Sequence, residues 1–241
     1  MTERLQLDLE TIPEAERARA ADIEELANRL FAFADNVRDG VDLFDYCSAV
    51  TKHMLDERSQ MIAEFKEKKE PGIRPPRTPE SKVFLRKLSS WGILGCEAAI
   101  AALSNSLETL KTLGQKVRGC PSFVYSETGL EAVKTEFKRA FPNIKAIRHS
   151  VNHGVSPSPQ DYASGSFDEG GVSISAQSYR FSRSVIGRTF TITRDKQVMK
   201  CEISRATVDS LVWLNNRARQ EFERFERPSP FRAMNPGLPR L

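Results

Sequence analysis

The chain has 241 residues, 39% hydrophobic and 28% charged, a balance that fits an ordinary globular protein and excludes a largely disordered one. Its formal charge of +4 hides a gradient, since residues 1–70 carry 10 Lys/Arg against 17 Asp/Glu whereas residues 171–241 carry 13 against 6. No apolar run approaches the roughly 20 residues that span a bilayer, and the four scattered cysteines form no CxxC pair and read as small buried hydrophobes.

In chain order, residues 1–12 read as a frayed end, and Thr11 before Pro13 and Glu14 reads as a helix cap. Ile23, Leu26, Leu30, Phe33 and Val37 mark a helix face to about residue 38, where Asp39-Gly40 gives a stop or kink signal. Leu43, Phe44, Cys47, Val50, Met54, Met61 and Phe65 predict a second helix over about 41–68. The prolines of residues 70–78 force a stiff loop. Thr78 and Pro79 then open a long helix to about Val117, with a face through Leu85, Leu88, Trp91, Leu94, Ala98, Ala101, Leu107 and Leu110. Its centre, from Trp91 to Leu103, is small or apolar on nearly every side, which suits the middle of a bundle or a subunit seam. Gly92 and Gly95 each cost about 1 kcal/mol relative to Ala, a cost that close helix approach offsets. Gly119 and Pro121 end this helix, and a further one spans about 127–141, up to Pro142.

Residues 155–170, rich in Ser, Pro and Gly, read as a mobile loop. Alternation over 188–193 and 198–203, around a turn at Arg194–Gln197, predicts a β-hairpin, with 172–181 as a third strand or irregular. Ser204 or Thr207 caps a last helix through Val208, Leu211, Val212, Asn215 and Phe222, before a Pro-rich tail over 227–241. The expected fold is mainly α: an antiparallel helical bundle with a small β-hairpin insertion before the last helix. Residues 1–241 form a single domain on this reading, with 172–203 as the β-rich insertion. The first residues lack the basic start and apolar block of a secretory signal, so a cytoplasmic location is expected.

The stretch from Pro142 to Gly154 holds two of the three histidines. Ile144, Ile147 and Val151 recur at i, i+3, i+7, the spacing of a buried helical stripe, with Asn143 as cap and Gly154 as stop. At about 100° per residue, Arg148, His149, Asn152 and His153 share the arc facing away from that stripe. His149 and His153 are four apart, but no nearby Cys, Asp or Glu completes a set, so no metal and no cofactor are expected. His53, with Glu57 one turn on, reads as a satisfied helix residue. The chain has no GxxxxGK[ST] loop, no GxGxxG after a strand, no HExxH and no GxSxG.

Arg148-His149-Ser150-Val151-Asn152-His153 resembles the R-x4-6-H motif of the HEPN (higher eukaryotes and prokaryotes nucleotide-binding) superfamily of small helical bundles. The resemblance covers roughly residues 20–154 and, in outline, the last helix; the β-rich insertion departs from it. It implies a metal-independent endoribonuclease, a toxin or defence effector, acting as a homodimer with RNA as substrate and with a protein partner or antitoxin. Arg148 would hold phosphate, His153 would be the general acid/base, and His149 and Asn152 would orient substrate or the catalytic pair. The chemistry suits the residues. Histidine titrates near neutrality, and arginine stays charged and grips phosphate oxygens with two donors. Within one helix, however, Arg148 and His153 stand about 140° apart around the axis and about 7.5 Å along it. Either an unwound turn at Gly154 or a second copy across a two-fold axis must close that gap. The alternative is a non-catalytic helical module that binds protein or nucleotide, in which Arg148 and the histidines are only a solvated face. The basic C-terminal half suits a polyanion such as nucleic acid, and equally the acidic N-terminal helices of the same or a second chain.

Overall fold

Two long helices carry most of the chain: α1, Glu14–Glu67, and α2, Pro79–Arg118. They belong to a computed structural model that describes residues 4–67, 79–153 and 159–227, with the side chains of 65–67, 152 and 153 excepted. Three shorter helices follow, α3 (Ser126–Ala140), α4 (Ile144–His153) and α5 (Arg205–Gln220). Between α4 and α5 lie five strands: β1 Ala163–Glu169, β2 Val172–Tyr179, β3 Ser184–Ile186, β4 Thr189–Arg194 and β5 Gln197–Glu202. The fold is mainly helical with a small antiparallel β insertion before the last helix, as the sequence predicts. None of the described helices is long and apolar enough to cross a membrane.

The chain divides into two compact units. The first comprises Met1–Asp35, Leu103–Pro142 and Val208–Leu241. Its core joins Ile23, Leu30 and Phe31 of α1 to Leu103, Leu107 and Leu113 of α2, Leu130 and Phe137 of α3, and Leu211 and Phe222. Asn215, buried on α5, donates to the carbonyls of Leu30 and Phe31, both at 3.4 Å. The expected frayed end is tied down. Leu5 and Leu7 are buried, their amides donate to Asn28 Oδ1 and Glu24 Oε2, and Leu7 bridges Glu226. Leu5, Leu7 and Leu9 alternate over too short a stretch for periodicity to register, yet Leu5 and Leu7, with Ile12, are buried in this core. The Thr11 hydroxyl donates to the Asp8 carbonyl, within a short 3-10 turn over Leu9–Thr11, instead of capping α1.

The second unit comprises Asn36–Ala102 and Asn143–Thr207. Here α1 runs unbroken through Asp39-Gly40, where the sequence signalled a stop. The reason is packing. A Cβ on Gly40 would lie 2.6 Å from the Gly95 carbonyl oxygen, and one on Gly95 would lie 2.7 Å from the Gly40 carbonyl oxygen. The two antiparallel helices touch backbone to backbone, so Gly40 is a contact residue and not a terminator. The expected α2 face holds at Leu88, Leu107 and Leu110, which are buried, and departs from the real one only around residues 91–98. Leu88, Gly92, Gly95, Cys96, Ala99 and Ile100 are buried, whereas Trp91 and Leu94 are 44% and 55% exposed.

The β segment begins earlier than expected. Residues 163–169, read from sequence as loop, form β1 and pair with β2 through the turn Gly170-Gly171, both at positive φ. The expected hairpin is β4 with β5, closed by Asp195 and Lys196 at φ 51 and 62, which β3 extends to three strands. Phe167 of β1 meets Phe181 and Ile186 in a small satellite core. Residues 154–158, 68–78 and 228–241, which include the Gly154 stop, the Pro-rich loop and nearly all of the tail, lie outside the described residues.

Candidate functional site on helix α4

Asn143 starts the site. It adopts a left-handed φ of 62, a conformation asparagine tolerates, and its carbonyl accepts the Ile147 N–H at 3.0 Å. The chain thereby turns from Pro142 into α4 with Ile144, Ile147 and Val151 pointing inward, and all three are buried. Their face packs on β4 and β5, whose own inner residues Phe190, Ile192, Met199 and Cys201 are buried.

Two arginines of the β segment clamp the helix from its carbonyl side. Arg183 Nη2 donates to the Val151 carbonyl at 2.8 Å, in the last turn of α4, where unpaired carbonyls favour a cation. Its Nε lies 3.0 Å from Glu97 Oε1 on α2. Arg194 Nη1 donates to the Ala146 carbonyl at 3.3 Å. Arg183 itself has φ 53, an unfavourable conformation for a residue with a Cβ, held by contacts at both ends of its guanidinium. Neither arginine stands out in the sequence, because each acts through a carbonyl distant along the chain.

The four predicted site residues divide into two groups. Arg148 is half-buried and His149 is exposed, both on the outward arc, and both engage other groups of the protein. Asn152 and His153 occupy the last two positions of α4, and their side chains lie outside the described residues. Among the described residues no three His, Cys, Asp or Glu side chains come together as a metal site. The thiols are poor nucleophiles: burial pushes Cys96 and Cys201 up to about 12, and burial with the Glu16 hydrogen bond pushes Cys120 up to about 11. His53 Nε2 lies 3.3 Å from Glu57 Oε1, the helix pairing expected for it.

Much of the basic C-terminal half is neutralised within the chain. In the second unit Arg188 pairs with Asp45 at 2.6 Å and Arg205 with Asp42, both on α1, and Lys200 pairs with Glu169. In the first unit Arg217 grips Glu136 with bonds of 2.8 and 3.0 Å, and Arg219 pairs with Glu226. Two of these pairs, Arg188–Asp45 and Arg205–Asp42, join the basic C-terminal region to the acidic N-terminal one. In the same unit as α4, a groove of about 460 Å³ lies between α1 and α2, walled by Phe44, Leu55, Leu88 and Val185. No family model, curated protein or solved structure matches this chain.

Proposed function

We propose that α4 is the phosphate-facing element of a metal-independent, HEPN-like endoribonuclease. Arg148 binds the scissile phosphate, His153 moves the proton, and His149 and Asn152 orient the substrate or the pair. The observation that carries this reading is the fixing of α4. Its apolar stripe is buried on the sheet and its carbonyls are held by Arg183 and Arg194, so Arg148 and His149 stand on a preorganised outward arc. A cation placed in advance of the reaction stabilises the charge that grows on a phosphorane. His153 reaches the same phosphate once the last turn opens toward Gly154, or it serves the Arg148 of a second copy.

The test is RNA cleavage in EDTA by the wild type, Arg148→Ala, Arg148→Lys and His153→Ala. Loss of a general acid/base is expected to cost about 10²–10⁴-fold in rate. Arg148→Lys is expected to recover only part of the activity, since a lysine cannot make the two-donor contact. Equal rates in all four proteins would overturn the assignment.

A second reading, a non-catalytic binding module, draws on the internal pairing of the basic residues and on the groove between α1 and α2. It predicts that Arg148 and His153 are replaceable without consequence, whereas changes in the groove or deletion of 227–241 abolish partner association.

A further inference from the structure

In the first unit a cavity of about 400 Å³ opens where α3 starts and α5 ends, lined by Tyr125, Ser126, Gln220, Glu221, Glu223 and Arg224. Its volume falls within the roughly 300–1,000 Å³ of small-molecule sites. Glu221 sits among three arginines, yet each of them is turned elsewhere. Arg217 grips Glu136 with bonds of 2.8 and 3.0 Å, and Arg219 pairs with Glu226. Arg224 lies over the rings of Tyr125 and Phe225, its Cζ 5.3 and 4.6 Å from their centroids. Among the described residues, therefore, neither the Glu221 carboxyl nor the Arg224 guanidinium has an ion-pair partner. The cavity holds one spare charge of each sign.

The Glu221 carboxyl is not a group simply extended into water. It packs on the backbone of α3 at Gly129, where a Cβ would collide with it, and the residue is partly buried. Its own backbone carbonyl accepts the Ser126 hydroxyl at 2.8 Å, which ties the end of α5 to the start of α3. Burial pushes the carboxyl above the usual carboxylate range, against the opposing pull of Arg217 and Arg224. A partly desolvated charge without a partner is costly, and a cation brought by a ligand offsets that cost. Arg224, held over two rings, keeps its N–H donors for an oxyanion.

We propose that this cavity binds a small zwitterion, a free amino acid with an apolar side chain, with its ammonium on Glu221 and its carboxylate on Arg224. Tyr125, 79% exposed, offers its ring as a wall for the side chain. A simple cation would answer Glu221 and be repelled by Arg224; a simple anion would do the reverse. A ligand of both signs answers both. Glu223 engages another group of the protein and takes no part. The site belongs to the first unit and does not rest on the ribonuclease reading, so either can fail alone.

The experiment is calorimetric titration of the full chain near neutral pH with L-phenylalanine and L-leucine. Each is compared with the amine that lacks its carboxylate, phenethylamine or isoamylamine, and with the acid that lacks its ammonium, hydrocinnamate or isocaproate. At least one amino acid is expected to bind with a Kd below about 10 mM, and its two half-ligands about tenfold or more weakly, since each forgoes a charge-assisted contact. Glu221→Gln is expected to erase the advantage over the acid while keeping that over the amine, and Arg224→Gln the reverse. A variant that merely misfolds would lose both. Gly129→Ala displaces only the end of a flexible side chain, so it is expected to weaken binding with the thermal midpoint kept. The proposal is overturned if neither amino acid binds at about 10 mM. It is equally overturned if an amine or an acid binds as tightly as its amino acid, or if Glu221→Gln and Arg224→Gln both bind as the wild type does.

Discussion

Gly40 and Gly92 are both helix-interior glycines, yet their surroundings give their alanine variants opposite signs. A methyl on Gly40 would lie 2.6 Å from the Gly95 carbonyl oxygen and 3.0 Å from the Ala99 nitrogen, so two backbones must separate. A methyl on Gly92 meets only Cys47 Cβ and Phe44 Cδ2, each at 3.6 Å, ordinary contact. Gly40→Ala is expected to destabilise the protein by about 1–3 kcal/mol through overpacking. Gly92→Ala is expected to stabilise it by up to ~1 kcal/mol through helix propensity. Urea denaturation of the two variants checks both signs. Glu16 makes a second residue-scale case. The backbone N–H of Ser122, at 2.9 Å, and next the Cys120 thiol hold its carboxyl below the usual carboxylate range. A lowered folded-state pKa means stability that is present above the unfolded value and lost as pH falls through the folded one. Glu16→Gln is therefore expected to lower the urea midpoint at pH 6, and the gap from wild type should close as the medium is acidified below pH 4.5. A gap that persists unchanged would show that the carboxylate charge contributes nothing.

At the scale of elements, Arg183 links α4, α2 and the β segment. Arg183→Ala removes the donor to the Val151 carbonyl and the partner of Glu97, while the left-handed backbone remains. Hydrogen exchange is expected to rise several-fold in α4, with α5 unchanged; equal exchange in α4 would show that the clamp is dispensable. Helix α4 was legible in the sequence, since Ile144, Ile147 and Val151 are the buried stripe that their spacing predicted. So were α2, whose bounds match the Pro79 start and the Gly119 stop, and the β4–β5 hairpin. What escaped depends on distant contacts. Asp39-Gly40 carries a stop signal, but the Gly95 backbone across from it needs a missing side chain there. The apolar centre of α2 offers two stripes of similar strength. Only the position of α1 selects Gly92, Cys96 and Ala99 over Trp91, Leu94 and Ala98. Strand β1 was hidden because Ala-Ser-Gly-Ser-Phe-Asp-Glu is mostly polar, with Ala163 and Phe167 alone buried. The clamp on α4 could not be read at all, because a side chain bonding a remote carbonyl leaves no spacing rule.

At the scale of the whole molecule, the sign of each half matters less than where its charges end up. Arg188 and Arg205 answer Asp45 and Asp42 of α1, so part of the basic C-terminal charge is balanced by the acidic N-terminal helix. In the function proposed above, a phosphate would be met on the outward arc of α4, at Arg148 and His149. The reaction proposed there makes a chemical commitment. Attack of the 2′-OH on the adjacent phosphorus expels the 5′ oxygen, so the products carry a 2′,3′-cyclic phosphate and a 5′-OH. The direct measurement is the end chemistry of RNA incubated with the protein in EDTA, read by mass spectrometry beside His153→Ala. The account predicts cyclic phosphate and 5′-OH ends that disappear in the variant. Intact RNA with the wild type, or the same fragments from His153→Ala, would contradict it.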